Sequence, residues 1–159
     1  MDEIALRPIG IIHTPFAEPK GVPIQPKFAA GAAGTVVLDA AHAPGLKDVE
    51  GFERIWLLYW FHKAPPARLR VTPFLDQVER GIFAVRAPCR PNPIGLSCVR
   101  LVRVDGPVLH VADVDMLDGT PLLDIKPYAP RFDAFRVARS GWLDEAQGRT
   151  TADDRFAGP

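Results

Sequence analysis

The stretch from Ala87 to Ser97, APCRPNPIGLS, places an arginine and an amide side chain directly before prolines. A residue that precedes proline is restricted to extended geometry, and residues two apart in an extended segment project to the same side. Arg90 and Asn92 are therefore predicted to be presented together. An arginine fork grips a carboxylate or phosphate, and a primary amide matches the donor and acceptor edge of an adenine. The alternative is a rigid strand connector whose arginine is solvated.

A second candidate stretch, DVDMLDGTPLLDIKPY, is rich in carboxylates and runs from Asp113 to Tyr128. Its Asp-Gly pair predicts a turn at which the Asp118 carboxylate accepts hydrogen bonds, either from a ligand or from nearby backbone as an Asx turn. In the strand that follows, Leu123 and Ile125 are expected to share one face, opposite Lys126. That opposite face is either a polar working face or a solvated ladder of ion pairs.

Other familiar signatures are absent from the sequence. No two glycines are separated by one residue, so the Gly-rich dinucleotide fingerprint is missing, and neither serine lies in a nucleophile elbow. The four histidines are far apart and lack metal-ligand spacing, so no metal site is expected. Cys89 has no neighbouring histidine that would activate it as a nucleophile.

The candidate side chains must be positioned mainly by β-strands, because 17 prolines spread through the chain leave few windows for a long helix. Parallel crossovers would need amphipathic helices that the sequence lacks, so short strands favour an all-β barrel or sandwich. In the strand RIWLLYWFH both alternating sets are apolar, which indicates a central strand or one at a dimer interface. The predicted strands are Leu6–His13, Gly34–Leu38, Arg54–His62, Leu69–Thr72, Ile82–Arg86, Ser97–Val104 and Val108–Val114, with one helical turn near Ala43–Gly51.

Length and charge narrow the class of protein further. The 159 residues fit one domain, expected over residues 1–139, and the weakly apolar tail at 140–159 is expected to be loosely packed or disordered. A net charge of zero removes the whole-molecule basic signal of a strong non-specific nucleic-acid binder. The amino terminus lacks the basic and apolar regions of a secretory signal, so the cytoplasm is the expected compartment.

Five segments taken together resemble the TsaA-like family, also called TrmO or YaeB: PIGIIHTPF, GVPIQPKF, GLKDVEGFERIWLLYWFHK, RGIFAVRAPCRPNPIGLSCVRL and DMLDGTPLLDIKPYAP. The similarity runs from about Pro8 to Pro130 in the family's order and with nearly its spacing. Members are S-adenosyl-L-methionine-dependent methyltransferases that act on N6 of threonylcarbamoyladenosine beside the anticodon of tRNA. The resemblance implies a single small antiparallel β-barrel with short helical turns, that cofactor, a tRNA substrate, and a homodimer with cofactor bound near the subunit boundary.

The resemblance also implies roles for individual residues. The methyl transfer implied by the resemblance would be assisted by a base, the hypothesis for which is Asp118, and Asn92 is the other expected catalytic residue. Arg90, Asn92 and Lys126 match polar motif positions expected to bind substrate. The expected cofactor-binding residues are Pro23, Ile24, Gln25, His62, Lys63, Arg86, Leu96, Asp115, Leu117 and Asp118.

Two departures leave alternatives open. Ala87 and Cys89 replace residue types that are common in the family, and some members continue into a carboxy-terminal domain thought to help hold tRNA. One alternative is a non-catalytic barrel that binds S-adenosylmethionine or an adenine nucleotide. Another is a methyltransferase that acts on an acceptor other than tRNA.

Overall fold

A computed structural model describes residues 3–146 and 148–158. Among these residues, six strands close an antiparallel barrel in the order β1-β2-β7-β6-β3-β8, and β4 and β5 form a separate two-stranded sheet. The all-β barrel expected from the sequence is confirmed. The strands are β1 Gly10–His13, β2 Ala33–Leu38, β3 Arg54–Trp60, β4 Arg70–Val71, β5 Arg80–Gly81, β6 Ile94–Asp105, β7 Val108–Ala112 and β8 Thr120–Pro127.

The core fills the inside of the barrel because the strands alternate between its two faces. In β3, which pairs with β6 and β8, Ile55, Leu57 and Tyr59 point inward and are buried. The intervening Trp56 and Trp60 are half-buried on the outer face. The expectation of a central strand is confirmed, because β3 has a hydrogen-bonded neighbour on both sides.

An irregularity in β8 changes which leucine enters the core. Leu58 is paired with Asp124, but the next residue, Tyr59, is paired with Leu122, so the register shifts within this pair of strands. As a result Leu122 is fully buried and Ile125 packs against the same core. The sequence predicted that Leu123, and not Leu122, shares a face with Ile125. This was wrong because a bulge adds one residue to one strand and reverses the faces beyond it.

A second, smaller apolar cluster lies beside the barrel. It contains Val71, Ile82, Ala87, Cys89 and Phe156, and Phe74 and Val85 pack against it. The strand predicted at Ile82–Arg86 is not formed, because a 3-10 turn occupies Ile82–Ala84. The buried Ile82 anchors this turn to the small cluster.

The tail is fixed to the rest of the chain by backbone hydrogen bonds. Ala152 N–H donates to Val22 O at 2.8 Å, and Gly21 N–H donates to Ala152 O at 3.0 Å. Phe156 is buried in the small cluster, in edge-to-face contact with Phe74. The tail therefore makes more contacts than its composition indicated, because one aromatic residue and main-chain pairing suffice to dock it.

The helical elements are short. The turn predicted at Ala43–Gly51 corresponds to two 3-10 helices, Ala40–Leu46 and Val49–Gly51. The α-helix spans Pro130–Asp133, and further 3-10 turns lie at Pro26–Phe28, Gly141–Asp144 and Asp154–Phe156. No helix in the described residues has the length and apolar character needed to cross a membrane.

Candidate functional site

A cleft of about 720 Å³ opens where β3 ends and β6 begins. Its walls come from segments far apart in sequence, including the loop at 22–25, residues 61–64, the turn at 83–88, the loop at 115–117 and part of the tail. Apolar side chains line most of it, and a few polar groups converge on one region. This is the arrangement typical of a small-molecule site.

Most of the expected site residues meet in this cleft. The lining includes Pro23, Ile24, Gln25, His62, Lys63, Arg86, Arg90, Leu96, Asp115 and Leu117. Asp118, Asn92 and Lys126 are not among the lining residues. The barrel therefore brings together nearly all the residues expected to bind cofactor, and it separates from them several expected to act on the substrate.

A polar pair bridges two walls of the cleft. Arg86 Nη1 donates a hydrogen bond to Gln25 Oε1 at 2.7 Å, and Gln25 Nε2 donates to Ile24 O at 2.6 Å. Arg86 is exposed, so part of its guanidinium remains available to an anionic group. The same positive charge acts to lower the pKa of Asp115.

Asp115 belongs to a short hydrogen-bonded chain at the floor of the cleft. Ser97 Oγ donates to Asp115 Oδ1 at 2.5 Å, and Tyr59 Oη lies 3.0 Å from Ser97 Oγ. Since Ser97 has one hydroxyl hydrogen and gives it to the carboxylate, Tyr59 must donate to Ser97. Tyr59 and Ser97 are buried. The chain therefore holds the carboxylate in one orientation.

Burial raises the pKa of Asp115 to about 7, and the Ser97 hydrogen bond partly opposes this shift. Burial and the nearby Asp115 charge likewise raise the pKa of Tyr59, which keeps its hydroxyl protonated. Gly95 makes room for the tyrosine ring, because a Cβ at this position would lie only 2.2 Å from Tyr59 Cε2. A carboxyl whose pKa lies near neutrality can accept or release a proton at physiological pH.

His62 lies at the edge of the cleft. Burial lowers the pKa of His62, and the neighbouring Lys63 charge acts in the same direction. The shift favours the neutral form of the imidazole. Its Nδ1 lies 3.4 Å from Thr120 Oγ1, whose hydroxyl donates to Leu117 O at 2.7 Å.

Asp118 occupies a different environment, in the turn expected from its Asp-Gly pair, with Gly119 at a φ of 74°. The Asp118 carboxylate accepts hydrogen bonds from Thr14 N–H at 3.1 Å and from His13 Nδ1 at 3.1 Å. These contacts lower the pKa of Asp118, with the Thr14 backbone bond as the largest cause. The carboxylate ties the turn to the end of β1 and is exposed to water.

The two polar residues of the proline-rich stretch have different surroundings. Arg90 lines the cleft, but its Nη1 donates to the carbonyl oxygens of Ile82 and Val85 at 3.1 and 2.6 Å. Asn92 is exposed outside the lining. The expected joint presentation of Arg90 and Asn92 to one ligand is therefore not seen, because backbone carbonyls engage the arginine.

Lys126 lies on β8 opposite Trp56, several residues along the strand from the cleft. Its Nζ forms an ion pair with Asp124 Oδ2 at 2.7 Å, and both side chains are partly exposed. This matches the solvated ion-pair alternative for that face of the strand. Lys126 stays a predicted substrate contact, and it is not one of the residues that line the cleft.

Sequence reasoning missed the cleft residues Tyr59, Phe83 and Trp142, and it missed Ser97, which donates to Asp115 from behind the cleft lining. Ser97 did carry a signal, because it is the polar residue on the otherwise apolar inward face of β6. Tyr59 was hidden in a continuous apolar run. Trp142 lies in the tail, whose docking could not be inferred from composition.

Comparisons with known proteins identify the family of the chain. A family model described as the tRNA-methyltransferase O N-terminal domain matches residues 11–134. A probable S-adenosyl-L-methionine-binding protein of Pyrococcus abyssi is 54% identical over 142 residues, covering 89% of this chain and 77% of that protein. The Escherichia coli tRNA (adenine(37)-N6)-methyltransferase is 35% identical over 156 residues, covering 92% of this chain and 66% of the enzyme.

A solved structure gives the same assignment. The crystal structure of TrmO from Pseudomonas aeruginosa superposes with a TM-score of 0.76 at 39% sequence identity. The match covers 91% of this chain and 63% of that one, so the chain spans a little under two thirds of that protein's length. With the family model matching most of the barrel, the chain belongs to the tRNA-methyltransferase O N-terminal domain family.

Proposed function

We propose that this protein is an S-adenosyl-L-methionine-dependent methyltransferase that methylates N6 of threonylcarbamoyladenosine beside the anticodon of tRNA. The observation that carries the proposal is the cleft, which gathers the expected cofactor residues around the Asp115 carboxyl. The name of the E. coli relative supplies the reaction, methylation of adenine N6 in tRNA.

The chemistry of the cleft fits the cofactor. The carboxylate of S-adenosyl-L-methionine would bind the exposed Arg86 guanidinium, and the apolar portions of the cofactor would pack against Leu96, Met116 and Leu117. The hydrogen-bond donors of the cofactor would donate to the backbone and side chains of the loop at 23–25. When bound, S-adenosyl-L-methionine supplies a methyl group carried on a positively charged sulfur, which leaves as a neutral thioether.

The residues of the chain would position the acceptor and remove its proton. The attacking nitrogen belongs to a urea-like linkage and keeps its proton until the new bond to the methyl group forms, so a base assists the transfer by about 100-fold or more. Asp115 suits this role better than Asp118, because Asp115 lines the cleft and burial raises its pKa to about 7. Since Oδ1 already accepts from Ser97, the proton would go to Asp115 Oδ2. Asp118 would instead hold the loop that carries Asp115.

A homodimer is part of the proposal and is supported by an exposed apolar arm at residues 131–139. Phe132, Phe135 and Val137 are 73%, 83% and 70% exposed and lie close together in sequence. Single exposed apolar residues are common, but three within the six positions from Phe132 to Val137 indicate a surface that another chain covers. The second copy is the occupant we propose, and the arm would then lie at the subunit boundary.

Arginines in the same arm support a nucleic-acid substrate. Arg131, Arg136 and Arg139 are exposed and alternate with the apolar residues. In a neutral protein, such a local track can contact RNA phosphates without a basic surface overall. Activity on tRNA would place the protein in the cytoplasm.

A cofactor-binding protein without catalysis is the second candidate. The Pyrococcus relative, at 54% identity, is named for binding of S-adenosyl-L-methionine alone. A protein that only binds the cofactor would need the cleft residues expected to contact it. It would gain nothing from Asp115, a carboxyl at the floor of the cleft whose pKa is raised to about 7. Asp115 therefore favours catalysis.

The test is transfer of radiolabelled methyl groups to tRNA from two sources, one lacking threonylcarbamoyladenosine and one carrying it. Label in the modified pool alone is the expected result, with loss of labelling as salt is raised. Absence of label in both pools, with S-adenosylhomocysteine binding intact by calorimetry, would leave the binding protein as the correct assignment. Equal labelling of both pools would identify a different acceptor position.

A further inference from the structure

The cleft contains an exposed aromatic ring that the proposed chemistry does not use. Phe83 lines the cleft and is 79% exposed, although its neighbour Ile82 is fully buried. The two belong to the 3-10 turn at Ile82–Ala84, here called the Phe83 turn. A large apolar side chain exposed inside a binding cleft is a contact surface that a ligand can cover.

The backbone around Phe83 is held firmly. Arg90 Nη1 donates to the carbonyl oxygens of Ile82 and Val85, on either side of the ring, at 3.1 and 2.6 Å. Val85 N–H donates to Ile82 O at 3.2 Å, which closes the turn. Trp142 Nε1 donates to Ala84 O at 2.8 Å, which fixes the turn to the tail. Phe83 is therefore an exposed side chain on a well-supported backbone.

Arg90 also contacts the ring itself. Its Cζ atom lies 5.9 Å from the Phe83 ring centroid, within the range of a cation–π interaction. Because the ring remains largely exposed, the guanidinium leaves most of its surface free. The same arginine thus fixes the turn through hydrogen bonds and orients the ring through its charge.

We propose that Phe83 is a stacking platform for a purine ring in the cleft and that Arg90 is the residue that positions it. The inference rests on the proposed function, in which both the cofactor and the acceptor nucleotide carry an adenine. A flat, exposed aromatic ring recognises the π-face of a base, and stacking of this kind strengthens binding about 5- to 100-fold. The prolines around Arg90 limit the freedom of the unliganded loop, so less entropy is lost when a base is ordered against it.

The test compares Phe83→Leu, which keeps apolar volume but removes the π-face, with Phe83→Trp, which keeps both. Calorimetry measures S-adenosylhomocysteine binding first, and then binding of a threonylcarbamoyladenosine-modified anticodon stem-loop RNA in its presence. Phe83→Leu is expected to weaken one of these affinities at least 5-fold, with Phe83→Trp close to the parent protein. Weaker S-adenosylhomocysteine binding would identify the cofactor's adenine as the stacked base, and weaker RNA binding alone would identify the acceptor's. Phe52→Leu, at a partly exposed phenylalanine outside the cleft, is the matched control.

The positioning role of Arg90 is tested by a double-mutant cycle. Arg90→Lys keeps the charge but cannot engage both carbonyls in the same planar geometry. It is expected to weaken the purine affinity in the parent protein and to have little further effect in the Phe83→Leu background. Equal losses in both backgrounds would show that Arg90 acts independently of the ring.

The proposal is overturned if Phe83→Leu leaves both affinities within twofold of the parent protein. It is also overturned if that variant weakens only the association of two copies, because Phe83 would then belong to a subunit interface. Failure of the proposed function looks different, since the parent protein itself would then bind neither S-adenosylhomocysteine nor the RNA.

Discussion

Two carboxylates three residues apart in one loop, Asp115 and Asp118, have opposite environments. Asp115 lies at the floor of the cleft, where burial raises its pKa to about 7. Asp118 is exposed in the adjoining turn, where the Thr14 backbone N–H and His13 lower its pKa. One carboxyl can exchange a proton near neutral pH, and the other remains an anion that organises the chain.

The difference shows that residue type and spacing do not assign roles within this loop. Both aspartates belong to the motif that resembles the family pattern, and either could be a base on that ground alone. Two opposing effects decide the pKa of each carboxyl. Donors that face the carboxylate lower the pKa, and loss of the surrounding water raises it. The two residues should therefore differ in their effects on activity, on stability and on pH dependence.

The largest expected difference is in turnover. Asp115→Asn should lower methyl transfer to modified tRNA by about 100-fold or more, because the amide cannot accept the proton of the attacking nitrogen. Asp118→Asn should stay within a few-fold of the parent rate. S-adenosylhomocysteine affinity, measured by calorimetry, should change little in either variant. A turnover defect confined to Asp118→Asn would reverse the assignment, and a loss of affinity in Asp115→Asn with turnover retained would make Asp115 a cofactor ligand only.

Asp115→Asn, which should lower turnover, should raise the stability of the folded protein. Asp115 has a higher pKa in the folded chain than in the unfolded one, so its contribution is fully present below pH 4 and is lost as the pH rises to about 7. Asp115→Asn removes the buried charge and should raise the free energy of unfolding at pH 8 by about 1–3 kcal/mol. Urea unfolding at pH 5 and pH 8 measures the effect. Asp105→Asn, at an exposed aspartate, is the control, and an equal gain there would exclude burial of Asp115 as the cause.

The hydrogen-bonded chain should tune the pH profile. Ser97 lowers the pKa of Asp115, so Ser97→Ala should raise that pKa further and move the rising limb of turnover against pH to higher values. Tyr59→Phe should shift the limb less, because Tyr59 contacts Asp115 only through Ser97. Ser140→Ala, at an exposed serine, should leave the profile unchanged. A Ser97→Ala profile identical to that of the parent protein would contradict the proposed role of Asp115.

The smallest effect is expected for the stability contributed by Asp118. Its lowered pKa means that its contribution is present above its ordinary pKa of 3.8 and is lost as the pH falls below it. Since the side chain is about half exposed and asparagine still accepts from Thr14 N–H, Asp118→Asn should cost less than about 1 kcal/mol at pH 7. Urea unfolding at pH 7 and pH 3 should show the difference disappearing in acid. A cost that persists at pH 3 would point to a packing defect instead.

Much of the fold could be predicted because its strands carry local signals. The alternating and fully apolar patterns at Arg54–Trp60 and Val108–Ala112 are properties of neighbouring residues, and proline content excluded long helices. The turn at Ile82–Ala84 could not be predicted in the same way. It depends on carbonyl contacts with Arg90, which lies eight residues after Ile82 and beyond the regular pattern of a strand. The β8 bulge likewise depends on pairing with β3.

For the site as well, the sequence predicted some features and could not predict others. The motifs alone identified cleft residues such as Gln25, Arg86 and Asp115, which are expected to bind cofactor because their types and order resemble the family. They could not distinguish a partly buried carboxyl, Asp115, from an exposed one, Asp118. They also gave no indication that Arg90 would be held by backbone carbonyls or that Trp142 would join the cleft.

By itself, the amino-acid sequence determined the class of fold, the family and the segments that form the cleft, since these follow from periodicity, breakers and motif order. Tertiary structure alone decided which carboxyl loses its water, which side chains donate to it, and which aromatic ring stays exposed. The physical reason is that pKa, hydrogen-bond partners and solvent access depend on atoms brought together from distant parts of the chain. Local residue patterns do not contain those distances.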